Sequence, residues 1–256
     1  FVNVDALANL LRPDTTLVSV MAVNNEIGSI QPIHDIAALL EDRPTVSFHV
    51  DAVQSLAKVA TEVYLPERVD FATFSSHKFH GLRGVGFVYI KEGKKITPLL
   101  TGGGQEKEMR STTENVAGIA ATAKALRLAM ENQEAFASKT QQMKEVIRKE
   151  LANYPDVTIF SGEDHFAPHI LTFGIKGVRG EVVVHAFEEF DIYISTTSAC
   201  SSKAGKPAGT LIAMGVDKSI AQTAVRLSLD LENDMSQVEQ FLTKFKLIYE
   251  QTRKVR

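Results

Sequence analysis

Lys78 stands where a predicted strand ends, and it is the first candidate for covalent chemistry. It follows Ser75, Ser76 and His77 at the end of an apolar run. A lysine amine in surroundings that lower its pKa is a nucleophile toward aldehydes. A lone lysine is more commonly an ordinary surface residue. The glycine-punctuated stretch His80–Gly86 favours a functional role for Lys78, because glycine permits tight turns and the close approach of a ligand.

Asp51 occupies the equivalent place after another predicted strand and carries the complementary charge. It follows His49 and Val50, and Gln54 comes soon after it. A buried carboxylate needs a partner: it could cap a following helix, or it could pair with the cation of a cofactor. The pyridinium nitrogen of pyridoxal phosphate requires such a carboxylate, and its aldehyde requires a lysine. Asp51 and Lys78 on neighbouring strand ends would supply both groups.

Two further residues in the second half of the chain could carry chemistry. Cys200, the only cysteine, lies in a run of small polar residues from Ser195 to Ser202. Most cysteines are buried and inert, whereas an exposed thiol invites reactive chemistry, and both interpretations stay open. Arg226 lies in the alternating pattern Val225–Leu229, among neighbours predicted to be buried. It needs an anionic partner, either a ligand carboxylate or an internal salt bridge.

The elements that must position these residues alternate between strand and helix in the first half of the chain. Short apolar runs predict four strands, namely Thr16–Met21, Ser47–Val50, Phe71–Ser75 and Gly86–Ile90. An apolar-periodic segment, Ile33–Leu40, predicts a helix between the first two. This alternation predicts a parallel or mixed α/β sheet, whose functional loops gather at the carboxyl ends of its strands.

The second half is predicted to be a separate α+β unit. Two long helices, Asn115–Glu131 and Phe136–Asn153, mark the passage into it, so we predict two domains, 1–130 and 131–256. The elements predicted beyond these helices are the strand Ile170–Phe173, the helix Glu181–Phe187, the strand Tyr193–Ser195, a helix near Ser219–Thr223, the strand Ala224–Leu229 and the helix Met235–Arg253.

Composition excludes several classes of protein. The chain is 44% hydrophobic and 23% charged, which is typical of a globular protein. Its 28 basic and 31 acidic residues give a net charge of −3, so no positive excess exists to drive binding to nucleic acid. No apolar run reaches the roughly 18 residues of a membrane span. The single cysteine excludes an internal disulfide and indicates a reducing compartment. We assign no metal ligands.

The pattern of the opening residues is typical of the interior of a domain. From Phe1 onward the pattern is a short helix followed by a strand, with neither the basic region nor the apolar core of a secretory signal. We therefore expect an N-terminal portion of the protein to precede this chain. We expect a cytoplasmic protein, although a missing N-terminal portion leaves organellar targeting open.

Seven short motifs together resemble the cysteine desulfurases, the NifS/IscS-like branch of the class V aminotransferase family. They run along nearly the whole chain, in the family's order and at its spacing. The matching strings are VNNEIG (Val23–Gly28), HVDAVQS (His49–Ser55), SSHKFHG (Ser75–Gly81), GGGQE (Gly102–Glu106), RSTT (Arg110–Thr113), SACSS (Ser198–Ser202) and VRLSL (Val225–Leu229).

The resemblance implies the fold type I arrangement of pyridoxal phosphate enzymes. A large α/β domain, with residues 1–130 as its C-terminal portion, would hold the cofactor, the small domain would close over it, and two identical subunits would share the active sites. Lys78 would bond to the cofactor and move the substrate Cα proton, Asp51 would keep the ring nitrogen protonated, and Cys200 would attack the substrate sulfur. The other implied contacts are Asn25 and Gln54 with the ring hydroxyl, Ser75 and His77 with the phosphate, Thr113 with the phosphate bound in the partner subunit, and Asn25 and Arg226 with the substrate.

The implied reaction converts L-cysteine to L-alanine and leaves a persulfide on Cys200. A sulfur-acceptor or scaffold protein would receive the sulfur, for iron–sulfur cluster assembly or thiolation. A selenocysteine lyase, or another class V enzyme such as an aminotransferase, is an alternative, and an aminotransferase would not need Cys200. An inactive fragment or an interaction module is the non-enzymatic alternative.

The chain also departs from the pattern of the family. The family usually has proline where Leu82 stands, and it usually has glycine at four other positions, namely Ala57, Ser76, Thr112 and Thr197. None of these changes removes a functional group. No match to the family's phosphate-binding loop, or to the histidine that stacks on its cofactor ring, precedes Asn24.

Overall fold

The computed structural model describes residues 1–197 and 209–255. Contacts between Cα atoms divide the chain into two compact units. The first unit comprises Phe1–Ala22 and Gln31–Gln133, and the second comprises Val23–Ile30 and Glu134–Arg256. The division into functional domains at residue 130 stays a prediction, and the structure adds that the segment Val23–Ile30 packs with the second unit.

The first unit is built on a mixed sheet, which confirms the predicted fold class. Its strands are β1 (Leu17–Met21), β2 (Ser47–Asp51), β3 (Phe71–Ser75) and β4 (Gly86–Ile90), hydrogen-bonded in that order. The pairs β1–β2 and β2–β3 are parallel, and β3–β4 is antiparallel. Its helices are α1 (Val4–Leu10), α2 (Ile33–Leu39), α3 (Thr61–Tyr64) and α4 (Val116–Glu131).

The three parallel strands have one buried face and one more exposed face, because successive side chains of a strand point in opposite directions. The buried side chains include Val18, Phe48, Val50, Ala72 and Phe74. Burial of each large apolar side chain stabilises the fold by about 1.5–3 kcal/mol. The opposite face is more polar and carries Ser19, His49, Asp51, Thr73 and Ser75. The residues predicted to do chemistry therefore lie on or directly after strands whose buried face forms part of the core.

The second unit contains an antiparallel sheet. Its strands are β5 (Val157–Ile159), β6 (Ile170–Ile175), β7 (Ser195–Thr196) and β8 (Ala224–Ser228), in the order β5-β6-β8-β7. Its helices are α5 (Gln133–Leu151), α6 (Gly180–Glu188), α7 (Gly209–Ala213), α8 (Lys218–Ala221) and α9 (Met235–Val255). Among the described residues, no helix has both the length and the apolar composition needed to cross a membrane.

Both faces of the inner strand β6 are covered, because all six of its residues are buried. One core cluster joins β6 and β8 to apolar side chains of α5, α6 and α9, among them Ile147, Phe187 and Phe245. A smaller cluster contains Ile27, Phe160, Leu211, Ala221 and Ala224. Ile27 comes from the segment Val23–Ile30, so this segment is part of the core of the second unit.

Lys144 of α5 is a buried charge within the second unit, with 3% of its surface exposed. Its Nζ donates a hydrogen bond of 2.8 Å to the main-chain oxygen of Ala167. Burial lowers the pKa of Lys144 to about 8; the charge of Arg148 also lowers it, and that of Glu145 opposes the shift.

The structure corrects four details of the predicted elements. The strand predicted at Tyr193–Ser195 is instead β7, Ser195–Thr196, because its register pairs Ser195 with Arg226 and Thr196 with Val225. The short elements α3, α7 and β5 were not predicted, since four or five helical residues, or three strand residues, carry too little periodicity to be recognised.

Candidate active site

Asp51 and the turn that carries Lys78 follow neighbouring parallel strands. Asp51 is the last residue of β2, and β3 ends at Ser75, directly before the 3₁₀ turn Ser76–Phe79. The register pairs Asp51 with Thr73, two residues before the end of β3. Since parallel strands end at the same edge of a sheet, the structure brings the two predicted groups to one edge, as the sequence predicts.

The side chain of Asp51 is exposed and closes a short turn. Its Oδ1 accepts a hydrogen bond of 3.0 Å from the main-chain N–H of Val53, two residues on. The next helix of the chain, α3, begins only at Thr61. The carboxylate therefore makes an Asx turn and does not cap a helix, which removes the structural alternative considered for it.

Lys78 is half-buried in its 3₁₀ turn, whereas His77 beside it is exposed. The turn ends at His80, whose φ of 65° is left-handed, and the N–H of Gly81 then donates to the oxygen of Ser76 at 2.9 Å. A Cβ atom at Gly81 would overlap the Ser76 hydroxyl. Glycine is thus required at this position for the turn to close against Ser76.

A histidine bridges the three parallel strands on the exposed face. The Nδ1 atom of His49 lies 2.7 Å from Ser19 Oγ on β1, and its Nε2 atom lies 3.1 Å from Thr73 Oγ1 on β3. Burial lowers the pKa of His49, and the negative charge of Asp51 opposes that shift. Sequence reasoning missed Ser19 and Thr73 because their proximity depends on register; period-2 alternation was the available signal.

Gln54 and Thr113 are the remaining predicted cofactor contacts of the first unit. Gln54 is half-buried in the turns that follow Asp51. Thr113 is exposed and lies between the 3₁₀ turn Gln105–Glu108 and the start of α4. An exposed position suits a residue predicted to reach the phosphate of a partner subunit.

In the second unit, side-chain and main-chain bonds fix the segment Val23–Ile30. The Oδ1 atom of Asn24 accepts hydrogen bonds of 2.9 Å from the main-chain N–H groups of Glu26 and Ile27. Gly28 has a φ of 82°, and a Cβ there would lie 2.9 Å from the Cβ of Ile170. The segment is a tight turn that fits against β6, with Asn25 exposed.

Arg226 and Asn25 are brought together in this unit. Arg226 lies on β8, and its Nη1 donates a hydrogen bond of 2.6 Å to the main-chain oxygen of Asn25. The sequence predicted an anionic partner for Arg226, either a ligand carboxylate or an internal salt bridge. The partner at 2.6 Å is instead a neutral carbonyl oxygen, which belongs to the turn that carries another predicted ligand-binding residue, and binding to a ligand carboxylate stays a prediction.

Cys200 lies outside the described residues, so its predicted role is not examined by the structure. The first described helix after it, α7, is held by the segment Val23–Ile30. The N–H of Thr210 donates to Glu26 Oε2 at 3.1 Å, and Nδ2 of Asn24 donates to Thr210 Oγ1 at 3.2 Å.

A comparison with protein families finds one match over most of the chain. The model of the aminotransferase class-V family matches residues 1–241. A NifS/IcsS protein homolog from Lactobacillus delbrueckii subsp. bulgaricus is 50% identical over 255 residues, which are 99% of this chain and 66% of that protein. The cysteine desulfurase IscS of Clostridium botulinum is 37% identical over 258 residues, covering 100% of this chain and 64% of its own length.

Solved structures show the same similarity. A NifS-like protein superposes with a TM-score of 0.88 at 37% identity, over 97% of this chain and 65% of that one. A NifS-like protein from Rickettsia africae gives a TM-score of 0.86 at 30% identity, over 97% of this chain and 67% of its own. The chain thus spans 64–66% of the length of the curated relatives named above.

Proposed function

Because the chain belongs to the class-V aminotransferase family, whose members are pyridoxal phosphate enzymes, we propose that the protein is a cysteine desulfurase that converts L-cysteine to L-alanine. The observation that carries the proposal is the placement of Asp51 and the Lys78 turn after adjacent parallel strands. Relatives named cysteine desulfurase or NifS homolog, at 37–50% identity, support the same reaction.

The donor groups at this edge of the sheet fit pyridoxal phosphate. Asp51 offers a carboxylate for the protonated ring nitrogen, and Lys78 offers an amine for the aldehyde. The hydroxyl of Ser75 and the imidazole of His77 are suited to the phosphate. Asp51 and His77 are exposed and Ser75 and Lys78 are half-buried, so a ligand can reach all four. When bound, the cofactor supplies an electron sink for the electron pair left at the substrate Cα.

In this proposal the chain's own residues hold the cofactor and move one proton. Lys78 would hold the cofactor through its aldehyde, and its Nζ, once displaced by the substrate amine, would remove the proton from the substrate Cα. Asp51 keeps the ring nitrogen protonated, because its negative charge favours the cationic form of the ring. The other proposed contacts are Asn25 and Gln54 with the ring hydroxyl, Ser75 and His77 with the phosphate, and Thr113 with the phosphate bound in the partner subunit.

Arg226 is proposed to bind the carboxylate of L-cysteine. A planar guanidinium suits that role because it can donate two parallel hydrogen bonds to a carboxylate. The bond from its Nη1 to the oxygen of Asn25 orients the guanidinium and ties it to the turn from which Asn25 is proposed to contact both ring and substrate.

Cys200 is proposed to accept the sulfur. Its thiolate attacks the substrate Sγ, so a sulfur–sulfur bond forms while the substrate Cβ–Sγ bond breaks. The electron pair of the broken bond stays on the substrate carbon, which takes up a proton and becomes the methyl group of alanine. Cys200 is left as a persulfide, and no external oxidant is needed.

The proposed partners follow from that product. A persulfide requires a sulfur-acceptor or scaffold protein, for example in iron–sulfur cluster assembly or thiolation. The proposed role of Thr113 requires a homodimer. A thiolate that must stay reduced suits the cytoplasm.

One experiment tests this proposal on the purified full-length protein, including the N-terminal portion expected to precede Phe1, loaded with pyridoxal phosphate. L-cysteine is added with a thiol reductant, and alanine and sulfide are measured together with the visible absorption of the cofactor. We expect equal amounts of both products from wild type. The Cys200→Ser protein should show the absorption change of substrate binding but release no sulfide, because a hydroxyl cannot take the sulfur.

The other outcomes would point elsewhere. Sulfide release by Cys200→Ser at the wild-type rate would overturn the desulfurase assignment and favour an aminotransferase-like reaction. A full-length wild-type protein without visible absorption would contradict the proposed cofactor. Faster turnover of selenocysteine than of cysteine would assign the protein as a selenocysteine lyase.

A further inference from the structure

The turn that carries Lys78 is tied to helix α4 by a pair of buried hydroxyl groups. Ser76, the first residue of that turn, is fully buried, and its Oγ lies 2.9 Å from Oγ1 of Thr122 on α4. Thr122 is also buried, with 6% of its surface exposed.

The bond has a defined direction. Thr122 Oγ1 donates its proton to the main-chain oxygen of Gly118, one helical turn earlier, at 2.8 Å. A hydroxyl carries a single proton. With the Thr122 proton directed to Gly118, Ser76 is the donor toward Thr122, and the three groups form a directed chain from Ser76 through Thr122 to the Gly118 carbonyl.

The main chain of Ser76 is held at the same place. Its N–H donates to the oxygen of Val85 at 3.0 Å, and its oxygen accepts from the N–H of Gly81 at 2.9 Å. Helix α4 can approach because position 118 is glycine, where a Cβ would lie 2.7 Å from a methyl carbon of Val85. Donor, acceptor and side chain of Ser76 are thus all engaged, two residues before Lys78.

We propose that the hydrogen-bonded chain Ser76–Thr122–Gly118 orients the side chain of Lys78 by holding the turn that carries it. Its consequence for catalysis rests on the proposed function, in which the Lys78 amine must meet a bound cofactor. Ser76 and Thr122 touch neither substrate nor cofactor in this proposal and act through the turn that they hold.

Two substitutions separate positioning from stability. Thr122→Val removes the acceptor and leaves the buried Ser76 hydroxyl unsatisfied, so the melting temperature should fall by roughly 2–8 °C. Ser76→Ala removes the donor instead, while Thr122 still donates to Gly118. No buried donor is then left unsatisfied, and the melting temperature should fall by less than about 2 °C. Both variants break the tether between the turn and α4.

A matched control exists in α5. Thr140 is fully buried, and its Oγ1 donates to the oxygen of Phe136 at 2.7 Å, one helical turn earlier. Thr140→Val removes the same kind of bond as Thr122→Val without breaking any contact to the Lys78 turn.

The test measures how fast formaldehyde and borohydride label each lysine of the cofactor-free protein, resolved by peptide mass spectrometry. We expect Ser76→Ala and Thr122→Val each to raise the labelling rate of Lys78 at least about twofold relative to Lys91, because the half-buried amine gains freedom. Thr122→Ser, which keeps the hydroxyl, and Thr140→Val should match wild type. The affinity for added pyridoxal phosphate should fall roughly tenfold in the first two variants.

The outcomes distinguish this inference from the proposed function. If Ser76→Ala labels Lys78 at the wild-type rate and binds the cofactor with wild-type affinity, the hydroxyl chain is packing alone and the inference fails. If wild type itself binds no cofactor, the proposed function fails, whereas the labelling rates still decide whether Ser76 and Thr122 position Lys78. Ser76→Ala keeps the test valid if Thr122→Val does not fold.

Discussion

The main-chain oxygen of Asn25 accepts a hydrogen bond of 2.6 Å from Nη1 of Arg226, although the two residues are 201 positions apart. Asn25 is a proposed contact of the cofactor ring and the substrate, and Arg226 is the proposed contact of the substrate carboxylate. The turn that presents one is therefore fixed by the side chain of the other. We expect substrate binding and cofactor binding to respond together when this bond is changed.

Arg226→Lys should weaken both affinities. A lysine ammonium is a point charge that cannot hold a carboxylate in two parallel bonds while also bonding the Asn25 oxygen. We expect the KM for L-cysteine and the Kd for pyridoxal phosphate each to rise about tenfold, as measured by steady-state kinetics and absorption titration. Arg179→Lys, an exposed change in the same unit, is the control. A rise in KM with an unchanged cofactor Kd would contradict the coupling.

Asp51→Asn should separate the electronic role of this side chain from its structural role. The amide oxygen of asparagine can still accept the bond from Val53, so the free energy of unfolding should stay within about 0.5 kcal/mol of wild type. Loss of the charge that keeps the ring nitrogen protonated should lower kcat by at least about a hundredfold. Asp217→Asn, at an exposed helix cap, is the comparison for stability. Near-normal turnover would count decisively against the cofactor role.

His49 should make the protein less stable at mildly acidic pH. The folded-state pKa of His49 is lowered from 6.5 by burial, and Asp51 is the charged neighbour that opposes the shift, while Ser19 and Thr73 face the ring from the adjoining strands. The unfolded chain then binds a proton at a higher pH than the folded chain. Stability is full above about pH 6.5 and falls as the pH drops toward the folded pKa.

The test for His49 is denaturant unfolding at pH 7.5 and at pH 5.5. The loss of unfolding free energy between these values should be smaller in His49→Gln than in wild type, because the variant has no ring to protonate. His185→Gln, an exposed histidine paired with Glu188, is the matched control. Equal losses in wild type and His49→Gln would refute the assignment.

Lys144 should also make stability rise with pH, but in the alkaline range. Its folded pKa of about 8 lies below the usual 10.5, so between these values the unfolded chain binds more protons and stability rises with pH. From pH 7.5 to pH 10, wild type should gain about 2 kcal/mol relative to Lys144→Met. Gln141→Met, a non-ionisable change on the same helix, should show no such trend. If the unfolding free energies of Lys144→Met and wild type changed by the same amount from pH 7.5 to pH 10, a lowered pKa of Lys144 would be excluded.

Local patterns allowed most of the fold to be predicted, together with the placement of two candidate residues at strand ends. Strands β1 to β4 and helices α4 and α9 were recognised because their apolar periodicity extends over five or more residues. Asp51 and Lys78 were expected at neighbouring strand ends, and the register of β2 and β3 places Asp51 and the Lys78 turn there.

Contacts that depend on tertiary register were not predictable in the same way. The bridge from Ser19 through His49 to Thr73 exists only once three strands are aligned. The pair Ser76–Thr122 joins residues 46 positions apart, and no periodicity links a turn to one face of a distant helix. The bond between Arg226 and Asn25 likewise depends on packing of the second unit around the turn at Val23–Ile30.

The packing of Val23–Ile30 with the second unit determines what happens when the chain is cut between the two units. A cut at the junction between Gln133 and Glu134 would leave this segment in the N-terminal fragment and its partners in the C-terminal one. The C-terminal fragment would lack Ile27 from its smaller core cluster and the acceptor for the N–H of Thr210. The two pieces should therefore recognise each other as a split protein does, by donor-segment complementation, and a peptide spanning 23–30 should compete for the vacant place.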